Sequence, residues 1–198
     1  MAIQPNIALE NNHYLIKNDS QVTCCILLGK NYLSYVLADA TSLKIYALKH
    51  YSFQDKVLSK SDFDAILSDN QLRKASSYTV AIDSAKSTLV PTSLFIQDQA
   101  VDYLKLSVDI DPEEMVSTQT VGDITNIYAL KTSTVQFLEQ RLKKVTCMDA
   151  SACLLKTYPP QIIHEHTHSC FISVKDQMIC LTIYQKQDLL LHQLYAVS

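Results

Sequence analysis

Glycine is almost missing from this sequence: Gly29 and Gly122 are the two copies in 198 residues. Phosphate-cradling loops of the G-x-G-x-x-G and G-x-x-x-x-G-K type need two or three closely spaced glycines, because the backbone must approach the phosphate and adopt positive φ. Two glycines so far apart exclude both loops, and the G-x-S-x-G nucleophile elbow with them. No apolar run approaches the ~20 residues a membrane-spanning helix needs. The opening Met1-Ala2-Ile3-Gln4-Pro5-Asn6 has neither the basic nor the apolar region of a secretory leader. The expectation is a cytoplasmic protein with no membrane span. The six cysteines, Cys24, Cys25, Cys147, Cys153, Cys170 and Cys180, contain no C-x-x-C pair, which removes the zinc-ribbon and thioredoxin-type readings. Reduced, they should behave mostly as small buried hydrophobes. Excess positive charge is lacking too: 17 Lys and Arg stand against 20 Asp and Glu, a net charge of −3. The densest basic stretch, Arg141, Lys143 and Lys144, falls at the end of a helical pattern, where cations complement the helix dipole. No nucleic-acid partner is expected.

What remains is 47% hydrophobic and 19% charged, enough apolar material for a real core in one domain or two small ones. Residues 1–20 are polar and mixed and read as a tail. Val22–Leu28, Tyr32–Leu37 and Leu43–Phe53 read as three strands around turns at Gly29-Lys30-Asn31 and Asp39–Ser42, an antiparallel meander. A helix is expected from Ser61, with Asp64 at capping-box spacing. Tyr78–Ile82 and Thr88–Val90 are short strands, the second ended by Pro91. Leu94–Leu106 has a helical period. Glu114–Val121 and Ile124–Leu130 form a hairpin around Gly122-Asp123. Ser133 with Gln136 makes a second capping box, for a helix ending near Lys144 with Val135, Leu138, Leu142 and Val145 on its buried stripe. Ser151–Tyr158 is a short helix stopped by Pro159-Pro160. Ile162–Val174, Gln177–Tyr184 and Leu189–Val197 then repeat the opening meander. Ile179, Leu181 and Ile183 lie on one face of it, with Cys180 and Tyr184 on the other. Both faces therefore need cover.

Three groups of residues invite a chemical reading. His164, His166 and His168 alternate with Glu165 and Thr167, so on a strand they share one face with Cys170. His-x-His is a metal-ligand spacing, and a site there would be completed by Cys170 or His192. A polar strand end carrying histidines is the simpler reading. Asp109, Asp111, Glu113 and Glu114 cluster around Pro112 and read as a solvated loop, since no EF-hand spacing is present. Tyr32, Tyr35, Tyr46 and Tyr51 suit either an interface or strand propensity.

The run Thr88-Leu89-Val90-Pro91-Thr92-Ser93-Leu94-Phe95, the helix with Tyr103-Leu104 after it, and the later Ile163-His164-Glu165-His166 strand with its Lys175-Asp176 turn resemble a bacterial family of unknown function. That family (domain of unknown function 3822) comes chiefly from Bacteroidetes. The similarity spans most of residues 10–198. It implies a duplicated actin-like ATPase fold of the ribonuclease H-like type, an α/β protein with mixed sheets. On that plan residues 1–20 are the tail, 21–145 the first actin-like subdomain with inserted strands and helices, and 146–198 the start of an incomplete second, so the chain reads as a C-terminally shortened member. Active actin-like enzymes grip phosphates with an Asp-x-Gly-type hairpin in each meander. Here the first hairpin has no Asp or Glu between Gln21 and Ala38, and the second, at Glu165 and His166, has no glycine. No catalytic residue and no cofactor follow from the resemblance. The expected function is a non-catalytic scaffold that binds another protein, or itself, through Gln177–Val197. The rival readings are a nucleotide-binding ATPase with degenerate motifs and a metal-dependent enzyme at His164 and His166.

Overall fold

The computed structural model describes residues 3–11, 21–53, 58–159, 168–175 and 178–196. Strand β1 (Ile7–Glu10) lies at the edge of a six-stranded mixed sheet, followed by the meander β2 (Val22–Leu28), β3 (Tyr32–Asp39) and β4 (Ile45–Ser52). Helix α1 (Lys60–Leu67) crosses over, and β5 (Ser77–Ile82) returns parallel to β2. The chain then makes an excursion: β6 (Ser87–Pro91), α2 (Ala100–Lys105) and the hairpin β7 (Glu114–Val121) and β8 (Ile124–Lys131) build a small sheet in the order β6-β8-β7. Helix α3 (Thr132–Arg141) leads back to β9 (Val145–Asp149), parallel to β5, which completes the order β1-β4-β3-β2-β5-β9. Helix α4 (Ala150–Thr157) precedes a second meander, β10 (Ser169–Lys175), β11 (Met178–Gln185) and β12 (Asp188–Ala196).

The period-2 pattern of β2 decides which face is covered. Val22, Cys24, Ile26 and Leu28 are buried, and β3 adds Leu33, Tyr35 and Leu37 to the same face. Phe63 and Ile66 of α1 and Leu138 of α3 close this layer, with Phe63 edge-on to Phe137 at 5.5 Å. Each fully buried large side chain contributes about 1.5–3 kcal/mol. The inserted sheet is covered on both sides. Ile127 and Ala129 meet Ala100 and Leu104 of α2, while Tyr128 and Leu130 face Val135, Ile82 and Cys147. One polar joint crosses the core: buried Asn126 donates to Asp149 Oδ2 at 3.0 Å, and that oxygen also accepts the Ser151 N–H as the N-cap of α4.

The second meander meets α4 with one face. Tyr158 stacks on Phe171 at 4.3 Å, Phe171 meets Tyr184 edge-on, and the Tyr184 hydroxyl donates to the Leu155 carbonyl. Its other face carries Ile172, Val174, Ile179, Leu181 and Tyr195, paired across the strands. Ile172, Val174 and Tyr195 are 64%, 70% and 47% exposed.

Several elements differ from the sequence expectation. Residues 7–10, assigned to the tail, form β1. Strand β9, Val-Thr-Cys-Met-Asp, was not anticipated. The first capping box is built by Ser59 and Asp62, because Ser59 accepts the Asp62 N–H and Asp62 accepts the Ser59 N–H. The Ser133–Gln136 box does not form: α3 runs straight out of β8 with Lys131 as an N-cap that makes no side-chain bond. Leu94–Leu106 is two 3₁₀ turns and the short α2.

Scarce glycine is felt at the turns. Gly122 has φ +61 in its two-residue hairpin, but Leu43, Lys144 and Lys186 hold φ of 56°, 49° and 56° without help from glycine. An L-residue in the left-handed region costs roughly 1–2 kcal/mol. Leu43 is 74% exposed and so forfeits little packing on replacement. Leu43→Gly should therefore raise stability by about 0.5–1 kcal/mol, read as a higher urea midpoint.

Charge closes the edge of the core. Lys49 Nζ lies 2.8 Å from both Glu10 and Asp69, and the Tyr35 hydroxyl donates to the same Asp69 oxygen at 2.8 Å. Desolvation is the largest influence on Asp69 and opposes its ionisation, but the hydrogen bonds from Lys49, the Gln71 N–H and Tyr35, with the Lys49 charge, together outweigh it and hold the carboxyl below its usual range. Lys49 lowers Glu10 in the same way. A depressed carboxyl pKa stabilises the fold above the unfolded value near pH 4 and is lost as pH falls through the folded value. Lys49→Met should cost about 1–3 kcal/mol at pH 7, and its deficit relative to wild type should shrink between about pH 4 and pH 2 in denaturant titrations.

Candidate functional site

In sheets with parallel strands, ligands bind beyond the carboxyl ends where neighbouring connections diverge. Here β2 turns back as a hairpin into β3 while β5 leaves for the inserted sheet. A cavity of about 560 Å³ opens beyond their ends, Leu28 and Ile82. Its walls come from six separate stretches: the ends of β2, β5 and β8, the start of β7, and the flanks of α1 and α3. Its floor is apolar, formed by Phe63, Ile82, Leu130, Phe137 and Leu138. Its rim carries Lys30, Lys60, Lys86 and Lys131 against Asp83 and Glu114.

Each rim group is placed by local structure. Lys30 sits on the β2–β3 turn, whose carbonyl accepts the Leu58 N–H at 2.9 Å. Lys60 opens α1 with its ammonium 5.6 Å from the centre of the Phe137 ring. Lys131 is the joint between β8 and α3. Lys86 is clamped, with Asp111 Oδ2 and Glu114 Oε2 each 2.8 Å from its ammonium. Those two contacts raise the lysine's pKa and lower that of Asp111. Around Pro112, Asp109, Asp111 and Glu113 are exposed, as a solvated loop requires, while Glu114 departs from that reading: its side chain is 7% exposed and also accepts the Asp111 N–H at 2.9 Å.

The hairpin end is closed. A Cβ on Gly29 would collide with the Tyr32 ring, whose Cδ1 would stand 2.6 Å away. The Gly29 N–H is spent on the Tyr32 carbonyl at 3.0 Å, and the Tyr32 hydroxyl donates to Asp83 Oδ2 at 2.8 Å. Where the resemblance implies a phosphate grip, the chain has put its own aromatic ring.

The other candidates scatter. His164 and His166 lie outside the described residues, as does the turn of the second meander. His168 is exposed ahead of β10. Cys170 pairs with Ile183 and His192 with Thr182, so the two point to opposite faces of one sheet and cannot share an ion. Among the described residues no group of three or more His, Cys, Asp or Glu could hold a metal. Tyr32, Tyr35 and Tyr51 are buried and Tyr46 half-buried, which makes them core groups and not an interface. Cys24 and Cys180 are buried, as expected, while Cys25 and Cys170 are exposed. Burial pushes the Cys24 thiol up, and that of Cys147 to about 11, so neither is a ready nucleophile. No local motif announced the cavity, because its lysines lie tens of residues apart in sequence.

A family model described as "Protein of unknown function (DUF3822)" matches residues 11–198. Among curated proteins, none matches the chain. A Bacteroides thetaiotaomicron VPI-5482 protein with an actin-like ATPase fold and unknown function superposes with a TM-score of 0.74 at 17% identity, over 89% of this chain and 70% of its own. The PilM–PilN type IV pilus biogenesis complex gives 0.63 at 13% identity, over 89% of this chain and 62% of that one. The cytoplasmic domain of EpsL, an inner membrane component of the type II secretion system of Vibrio cholerae, gives 0.51 at 8% identity, over 88% and 70%. The fold is the actin-like ATPase fold, on a mixed α/β frame. No helix among the described residues is long and apolar enough to cross a membrane.

The Tyr32–Gly29 contact has a direct test. Gly29→Ala overpacks the ring and should cost about 1–3 kcal/mol. In a Tyr32→Ala background, where the ring is gone, the same change should cost less than about 0.5 kcal/mol, and a double-mutant cycle in urea reads the difference.

Proposed function

We propose that this chain, which belongs to the DUF3822 family, is a non-catalytic module on an actin-like frame that binds a protein chain through the outer face of its second meander. The observation that carries the reading is that face. Ile172, Val174 and Tyr195 stand in solvent beside half-buried Ile179, Leu181 and Ile183, on a sheet whose opposite face is packed against α4. Soluble proteins rarely leave so contiguous an apolar surface without a use for it. The closed hairpin at Tyr32 and the clamped Lys86 support the absence of phosphoryl transfer, which needs free donors and a carboxylate to organise Mg²⁺. That one neighbour in fold is a complex of two proteins supports the binding role.

The test is site-specific photo-crosslinking in cells, with a benzophenone residue at Val174 and a control at the exposed Lys105. A discrete adduct at Val174, missing at Lys105 and lost when Ile172→Asp is added, is the expected result. An adduct with one partner protein and an adduct with a second copy of the chain both meet that expectation. No adduct, or equal adducts at both positions, refutes the docking role. Thermal unfolding in millimolar ATP and Mg²⁺ should move by less than about 1 °C, since only a ligand that binds the folded state raises its stability. A shift of several degrees with phosphate release would make the protein a nucleotide enzyme instead.

A further inference from the structure

The cavity beyond β2 and β5 plays no part in docking at the meander, yet its charge is unbalanced. Lys30, Lys60, Lys86 and Lys131 stand against Asp83, Asp111 and Glu114, an excess of one positive charge, and Asp111 and Glu114 are both drawn onto Lys86. Lys30, Lys60 and Lys131 are exposed at the mouth of a pocket floored by apolar and aromatic side chains. In a chain of net charge −3, three cations converging on one apolar hollow form a local positive field. The volume, about 560 Å³, falls in the range of small-molecule sites, which are mostly apolar with a few polar groups fixing orientation. The Lys60 ammonium lies over the Phe137 ring, so charge and aromatic surface are presented side by side.

We infer that this pocket takes a small organic acid, its apolar or aromatic body on Phe63, Ile82 and Phe137 and its single anionic group, carboxylate or sulfonate, held by Lys30, Lys60 and Lys131. A metal–triphosphate is a poorer match. It would bring several negative charges and a cation, while the carboxylates at the rim are committed to Lys86 and Tyr32. The floor fits an apolar body, not a polyanion.

The probe is 8-anilinonaphthalene-1-sulfonate, an aromatic monoanion that fluoresces when desolvated, titrated into the intact chain beside its uncharged relative N-phenyl-1-naphthylamine. The expected result is one saturable site for the sulfonate, at least tenfold tighter than for the neutral dye. Lys30→Glu and Lys60→Glu, both at exposed positions, should each weaken it about tenfold at unchanged melting temperature. Val174→Asp should leave it unchanged, which separates the pocket from the meander face. Decanoate should displace the dye. Equal affinity for the neutral dye, indifference to both lysine variants, or loss in Val174→Asp would overturn the assignment. So would displacement by ATP but not by decanoate, which would make the site a nucleotide pocket. None of these outcomes depends on crosslinking at the meander, so the two readings stand or fall separately.

Discussion

The Tyr32 ring lies on Gly29 and donates its hydroxyl to Asp83, and these two contacts tie the end of β2 to the end of β5. The backbone repeats the tie, since the Asp83 N–H donates to the Leu28 carbonyl at 2.8 Å. The parallel pairing of β2 with β5 joins the first meander to everything after it, so the joint sits where the architecture turns. A glycine at such a hairpin is normally read as room left for a ligand. Here the room is filled by the chain's own side chain. A hydrogen bond from a phenol to a carboxylate adds roughly 1.5–3 kcal/mol, and any phosphate seeking the hairpin amides would have to displace it together with the packed ring. Gly29 and Asp83, the two ends of this joint, also line the neighbouring cavity, whose other walls come from α1 and α3.

Sequence periodicity revealed the parts whose burial is one-sided. Strand β2 shows it in Val22, Cys24, Ile26 and Leu28, and the hairpin β7–β8 is marked by its Gly122-Asp123 turn. Strand β9 was illegible because five residues between two helices show no alternation, and its partner β5 lies more than sixty residues away. Capping boxes were misplaced for a different reason. Ser59, Ser61, Asp62 and Asp64 offer two overlapping Ser-x-x-Asp registers, and only tertiary packing of Phe63 chooses between them. At α3 the helix grows directly from a strand, leaving no extended residue for Ser133 to occupy as a cap. The absence of phosphate loops was legible from composition alone. The cavity was not, since its rim converges only after the sheet has formed.

Charge in this protein is spent mainly on joining elements. Asp69 and Glu10 bind Lys49 between β1, β4 and the turn after α1, Asp64 binds Arg141 between α1 and α3, and Asp111 with Glu114 binds Lys86. Glu10, Asp64 and Asp69, gathered around Lys49 and Arg141, lie away from the pocket lining. That is how a chain with more acids than bases carries a positive pocket mouth. Exposed charges act over about 8–10 Å at ordinary ionic strength, so the field at the mouth is local and depends on salt.

Helix α4 links the cavity wall to the second meander through contacts that are continuous. Strand β8 contributes Leu130 to the pocket and Asn126 to Asp149; Asp149 caps α4, and α4 with Tyr158 holds Phe171 and Tyr184 of the second meander. Continuity alone does not make a switch, because coupling requires an element with two arrangements that both sites bias. Asp149 accepts from Asn126 and Ser151 at once inside the core, and the Tyr158–Phe171 stack holds the other end of the helix. A helix pinned at both ends by buried contacts transmits rigidity, presenting the outer face of the meander in one fixed pose. The cavity wall and the second meander thus share one frame, with α4 as the joint between them.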